Sequence, residues 1–223
     1  MAETDLPAAK LSDTARAVAF SDGVFAIVIT LLVLELRVPE APPGQLLSGL
    51  LSEWPAYVAY VASYLYVAVV WLNHKHAFGH IRLMDRGLHW ANLWILFSTA
   101  LLPFSTAVVS EALRRGNLTD ERVAIAFYAL IGAFMCLSWL AFFEYLRHHP
   151  QLTHDKPEPE FFRQESTRAG AGVAAYIIAG VLGFLATPTV ALMIFLALPI
   201  FYGVTDHGLY ELTVVVRRRR RRG

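Results

Sequence analysis

The sequence is poor in charge and nearly devoid of cysteine. Of its 223 residues, 17% are Asp, Glu, Lys or Arg, 56% are hydrophobic, and the mean hydropathy is +0.47. That balance excludes an ordinary soluble domain, in which roughly a quarter of the residues are charged. One cysteine, Cys136, excludes an intramolecular disulfide and a thiolate metal cluster within one chain, and its apolar surroundings mark it as a small core residue. The first fifteen residues, MAETDLPAAKLSDTA, lack the apolar stretch of a cleavable signal peptide, so the first hydrophobic helix is expected to target the chain to the membrane. Gly-rich phosphate loops, HExxH and Ser/His/Asp spacings are also missing, and no enzyme is expected.

Long apolar runs are what the chain has instead. Six stand out: 17–36, 54–72, 88–110, 123–146, 169–186 and 189–204. Most reach the roughly 20 residues that cross a hydrocarbon core of about 30 Å. The fold expected is an all-α membrane protein of six transmembrane helices per subunit. Thr187-Pro188-Thr189 reads as a tight turn between the last two, because proline lacks an amide donor and restricts the residue before it. Residues 38–53, with three prolines, read as a loop, and 148–167 as a mobile polar linker. No internal repeat is visible. The organisation expected is a six-helix membrane unit at 16–206, a short N-terminal segment at 1–15 and a basic tail at 207–223.

Charge asymmetry orients these helices. With the N-terminus inside, every lysine and arginine except Arg37, Arg114, Arg115 and Arg122 falls on the cytoplasmic side. The positive-inside rule then puts both termini in the cytoplasm. The terminal run Arg217–Arg222 reads as a headgroup anchor, and no aromatic or folded surface accompanies it to suggest nucleic acid.

The first span carries polar residues that lipid penalises. Ser21 and Asp22 either face protein or water within a membrane helix, with His74, His76 and Asn92 as partners at matching depth, or cap a helix that begins after them. Ile27, Leu31 and Leu34 recur at i, i+4 and i+7 and share one face, with Thr30 beside them. Glu35 at the far end fits either a cation-concentrating mouth or a headgroup position near Arg37. His76 and His80 stand at i, i+4, yet no carboxylate or cysteine completes a metal set on that face.

The string Arg16-x-x-x-Phe20-Ser21-Asp22, followed by Gly-Val-Phe-Ala-Ile and Thr-Leu-Leu-Val-Leu, resembles the first-helix signature of the transmembrane protein 175 family of potassium channels. Trp71-Leu-Asn-His74-Lys-His76-Ala-Phe78, then Ile81, Asp85, Leu88, Asn92, Leu93 and Leu102-Pro103-Phe104, resembles its second and third helices. Here Lys75 separates His74 from His76 where the family pairs two histidines, so both are carried as candidates. The resemblance implies a potassium-selective channel without a pore loop, with no cofactor beyond the permeant ion. It implies a homotetramer in a lipid membrane, the first helix lining the pore. Ile27, Leu31 and Leu34 would form the constriction and Thr30 the selectivity position. Arg16, Phe20, Ser21, Asp22, His74, His76 and Asn92 would form the signature polar network. A Thr-Val-Gly-Tyr-Gly filter is absent, as that fold requires. Composition suggests a prokaryotic cell membrane. The alternative function is an ion- or proton-coupled secondary transporter with Asp22 and the histidines as a relay.

Overall fold

A computed structural model describes residues 8–154 and 159–205 of the chain. Its elements are helices: α1 (Ala8–Leu31), α2 (Leu46–Ser52), α3 (Trp54–Gly79), α4 (Arg86–Ala100), α5 (Leu102–Arg115), α6 (Leu118–His148), α7 (Pro159–Leu185) and α8 (Pro188–Thr205). The β-type pairing among the described residues is one isolated bridge between Ile81 and Thr153. The all-α expectation therefore holds. Five segments are long and apolar enough to cross a bilayer: Thr14–Glu35, Trp54–Gly79, Arg86–Arg115, Leu118–His148 and Phe161–Leu185. α8 supplies a shorter apolar stretch, Pro188–Gly203.

Local chemistry sets the boundaries. α4 starts at Asp85, whose carboxylate accepts the Leu88 amide at 2.8 Å. α5 stops at Gly116, which takes the left-handed conformation at φ +64° that side chains disfavour. Asn117 then caps α6 by accepting the amides of Thr119 and Asp120 at 3.0 and 3.1 Å. Pro188 sits at the first position of α8, where its missing donor costs nothing, and α7 ends at Leu185. The last two helices are separated as expected, but the link is residues 186–187, and Pro188 and Thr189 already belong to α8.

The remaining boundaries depart from the sequence reading. α1 begins at Ala8, ahead of the apolar run at Ala17, so Ser21 and Asp22 lie deep within a helix and the N-cap reading is excluded. The third apolar run is two helices, α4 and α5, because Pro103 offers no amide to the carbonyl one turn back and the ladder restarts at Leu101. The proline-rich loop contains α2. The polar linker is pinned over its first part: the Leu152 carbonyl accepts the Arg82 and Leu83 amides at 2.8 and 3.0 Å, and His154 donates to the His80 carbonyl at 2.9 Å. Residues 1–7, 155–158 and 206–223 lie outside the described residues, and with them the start of the N-terminal segment, Lys156 and the arginine tail.

α6 and α7 form the centre of the bundle. Glycines make the approach close. A methyl group added at Gly132 would overlap the Tyr176 ring, and one at Gly180 would come within 2.7 Å of the Ala129 Cβ. α4 and α5 pack on α6, α3 packs on α5 and α8, and α1 lies at the edge, against α3 and α4.

Candidate functional site

α1 turns two different faces to its surroundings. Ser21, Phe25, Val28 and Leu32, at helical spacing, are buried against the chain's own bundle, with Phe25 at 3% and Leu32 at 0% exposure. Phe20, Ile27, Leu31 and Leu34 occupy another face and stay uncovered, Ile27 at 60% and Leu34 at 70%. Ordinary packing within one subunit does not explain this second stripe. The last turn, Leu32–Glu35, tightens into a 3-10 helix. Residues three apart eclipse in that geometry, so Leu34 stands directly above Leu31. Thr30 is exposed, and its hydroxyl donates to the Ile27 carbonyl at 2.8 Å. The proton is thereby occupied, and the oxygen lone pairs are left for another partner.

The buried face carries a hydrogen-bonded chain that ties three helices together. Ser21 Oγ donates to the Ala17 carbonyl at 2.8 Å and accepts from Asn92 Nδ2 at 3.0 Å. Asn92 thus presents its oxygen to His74, so His74 Nε2, at 3.0 Å, is the protonated nitrogen of that ring. Ser21 and His74 are completely buried. Around His74, Phe78 stacks at 4.1 Å between ring centroids, and Phe25 and Trp139 approach edge-on at 5.1 and 6.2 Å. α1, α3 and α4 are therefore locked by polar bonds inside an aromatic cage.

Of the seven residues expected in one network, Ser21, Asn92 and His74 come together. Asp22, one position on from Ser21 and 100° round the helix, bonds elsewhere: Trp71 Nε1 donates to its Oδ1 at 2.8 Å. Lys75 lies over the Trp71 ring at 5.7 Å. Trp71 is the functional candidate that the site reading missed. The signal was there, since an indole N–H is a donor with no other use and Trp71 stands one turn from Lys75 on α3. His76 points away toward α7, its ring 5.1 Å from His80 and 5.7 Å from Phe161. Two residues beyond His74, it faces a different neighbour. Arg16 and Phe20 are exposed on α1.

Near the far end of α1, Arg37 reaches Glu111 at 3.7 Å rather than Glu35. Glu111 also pairs with Arg114 at 3.0 Å and Arg115 at 2.8 Å, and Arg114 extends to Glu53 at 3.4 Å. At the other end, Asp85 accepts both the Leu88 amide and the Tyr145 hydroxyl, the latter at 2.7 Å. Partial burial pushes its carboxyl up, but these bonds and the nearby His149 outweigh it and hold Asp85 below its ordinary range. Among the described residues no three of His, Cys, Asp and Glu gather as a metal site.

Comparison with known proteins agrees with the first-helix signature. Residues 16–103 match the family model described as endosomal/lysosomal potassium channel TMEM175. A potassium channel of Streptomyces collinus is 36% identical over 179 residues, covering 80% of this chain and 86% of that protein. The chain belongs to the TMEM175 family. A TMEM175 homolog from Chamaesiphon minutus, described as a lysosomal potassium-selective channel homolog, superposes with a TM-score of 0.74 at 31% identity, over 86% of this chain and 97% of that one. The rat relative, named endosomal/lysosomal proton channel TMEM175, is 31% identical over 183 residues, and the match spans 36% of its length. TMEM175 proteins are channels, not enzymes, and this one is a multi-pass membrane protein.

Proposed function

We propose that the chain is one subunit of a potassium-selective channel in which four copies set α1 around a common axis. The observation that carries the proposal is the two-faced α1, with Ser21, Phe25, Val28 and Leu32 spent on the subunit and Ile27, Leu31 and Leu34 left over. Repeated around an axis, those three become stacked apolar rings. Ala19, Gly23 and Ala26, small and exposed beside the same stripe, let neighbouring helices approach closely. The bacterial relatives named as potassium channels supply the ion.

A narrow apolar ring makes a cation shed water. Potassium is more weakly hydrated than sodium and loses less by it. Thr30 oxygens, freed by the bond each hydroxyl donates to Ile27, return part of the lost coordination. In this reading α8 is a sixth span, the channel unit covers 16–206, the flanks 1–15 and 207–223 and both termini are cytoplasmic, and selectivity needs no pore loop. The setting is a prokaryotic cell membrane, with potassium, lipid and three further copies as the partners. Coupled transport has less behind it, since Asp22 and His74 sit in separate bonded sets rather than in one relay.

The test is a bi-ionic reversal potential on purified, reconstituted protein. A shift favouring potassium, with flux that needs no co-substrate, is expected. A fixed antiport stoichiometry, or potassium permeability equal to that of empty liposomes, overturns the reading.

A further inference from the structure

Away from α1, the bundle holds a small cavity of about 40 Å³ between α3, α6, α7 and α8, with an apolar wall into which several polar residues are set. Cys136 Sγ lies on its wall between two tyrosine hydroxyls, 3.7 Å from Tyr66 and 3.9 Å from Tyr202. Two further wall residues bear polar atoms that are buried with no protein partner, Asn73 Oδ1 and Trp139 Nε1, and Trp139 as a whole is only 6% exposed. Arg168, paired with Glu165 at 2.6 Å and bonded to the Tyr202 carbonyl at 3.2 Å, also lines it.

An indole N–H or amide oxygen buried without a partner costs about 1–3 kcal/mol. Empty cavities in proteins are apolar, whereas polar ones with several bonding groups hold ordered water. One water needs about 10–15 Å³ of such space, so this cavity has room for about three. The chemistry of the wall is also complete. Trp139 Nε1 only donates, Asn73 Oδ1 only accepts, and the tyrosine hydroxyls do either.

We propose that this cavity is a hydration site, holding two or three waters that accept from Trp139 and donate to Asn73. The waters enter past the Glu165–Arg168 pair and keep the Cys136 thiol wet inside the membrane. Both this site and its access are independent of α1 and stand whether or not that helix lines a pore.

The sequence supplies its own control. Met135, the next residue, also carries an oxidisable sulfur, is fully buried, and takes its hydrogen bond from Thr99, which is not part of the cavity wall. Brief hydroxyl-radical labelling of the full chain in lipid nanodiscs, in oxygen-18 water, is expected to oxidise Cys136 at least tenfold faster than Met135. Equal protection of the two sulfurs means a dry cavity and overturns the proposal. Equal labelling of both means the bundle opens as a whole, and overturns it too. A methyl group at Gly172 would overlap the Tyr202 hydroxyl and come within 2.8 Å of Cys136 Sγ. Gly172→Ala is therefore expected to bring Cys136 down to the Met135 rate, and unchanged labelling in folded variant protein counts against the site. The wild-type comparison decides the question even where that variant does not fold.

Discussion

Ile27 lies on the uncovered face of α1, beside the buried Val28. Ile27→Asn replaces an uncovered apolar group with one that water wets, an effect that the proposed tetramer would repeat four times. Sodium and potassium currents are both expected to rise in bilayer recordings, at the expense of selectivity. Thr30→Ala removes the hydroxyl oxygen and keeps the helix, so selectivity is expected to fall more than conductance. Unaltered currents in both variants would remove α1 from the ion path. On the buried face the expectation is different. Asn92→Leu leaves Ser21 Oγ and His74 Nε2 without their partner, at a cost of about 1–3 kcal/mol, read as a lower melting temperature in detergent. This contrast was only partly legible in the sequence. Helical spacing marks which residues share a face, but not which neighbour the face meets, and it gave no reason to choose His74 over His76.

Helix pairs carry the next set of consequences. Gly132 is where α6 lets Tyr176 of α7 lie flat, and Tyr176 has no room to swing away, being 1% exposed. Gly132→Ala is expected to destabilise the bundle by about 1–3 kcal/mol, measured as loss of folded protein on heating. The α4 start and the α6 end meet at Asp85, which receives the Tyr145 hydroxyl. Its carboxyl titrates below the ordinary value of about 3.9. The stabilisation is therefore complete at neutral pH and is withdrawn as the pH falls through the lower folded value. Wild type is expected to lose melting temperature below about pH 4 more steeply than Asp85→Asn. Equal slopes would show that the Asp85 contact contributes nothing. Element ends were the least readable part of the sequence. The break at Leu101 was hidden because Pro103 lies inside an apolar run, and a proline in the first turn of a helix leaves no polar mark. α2 was missed because the prolines before it outweighed its own leucines.

For the molecule as a whole, five of the six apolar runs fall on helices long and apolar enough to cross a bilayer, and the last, on α8, falls short of that length. The proposed assembly comes from the resemblance and not from the residues, because a face that waits for another copy looks the same in sequence as a face that meets lipid. The single cysteine makes assembly testable. In a Cys136→Ser background, Ile27→Cys is expected to form disulfide-linked dimers on mild oxidation, and native mass spectrometry to show four copies. Monomers in both measurements would end the tetramer reading. Changes at Ile27, Thr30 or Leu34 leave Ser21, Asn92 and His74 untouched, so an altered chain is expected still to fold. If four copies form the ring proposed above, a cell making both kinds would fill its membrane mostly with mixed rings, and a non-conducting copy would silence the normal ones beside it.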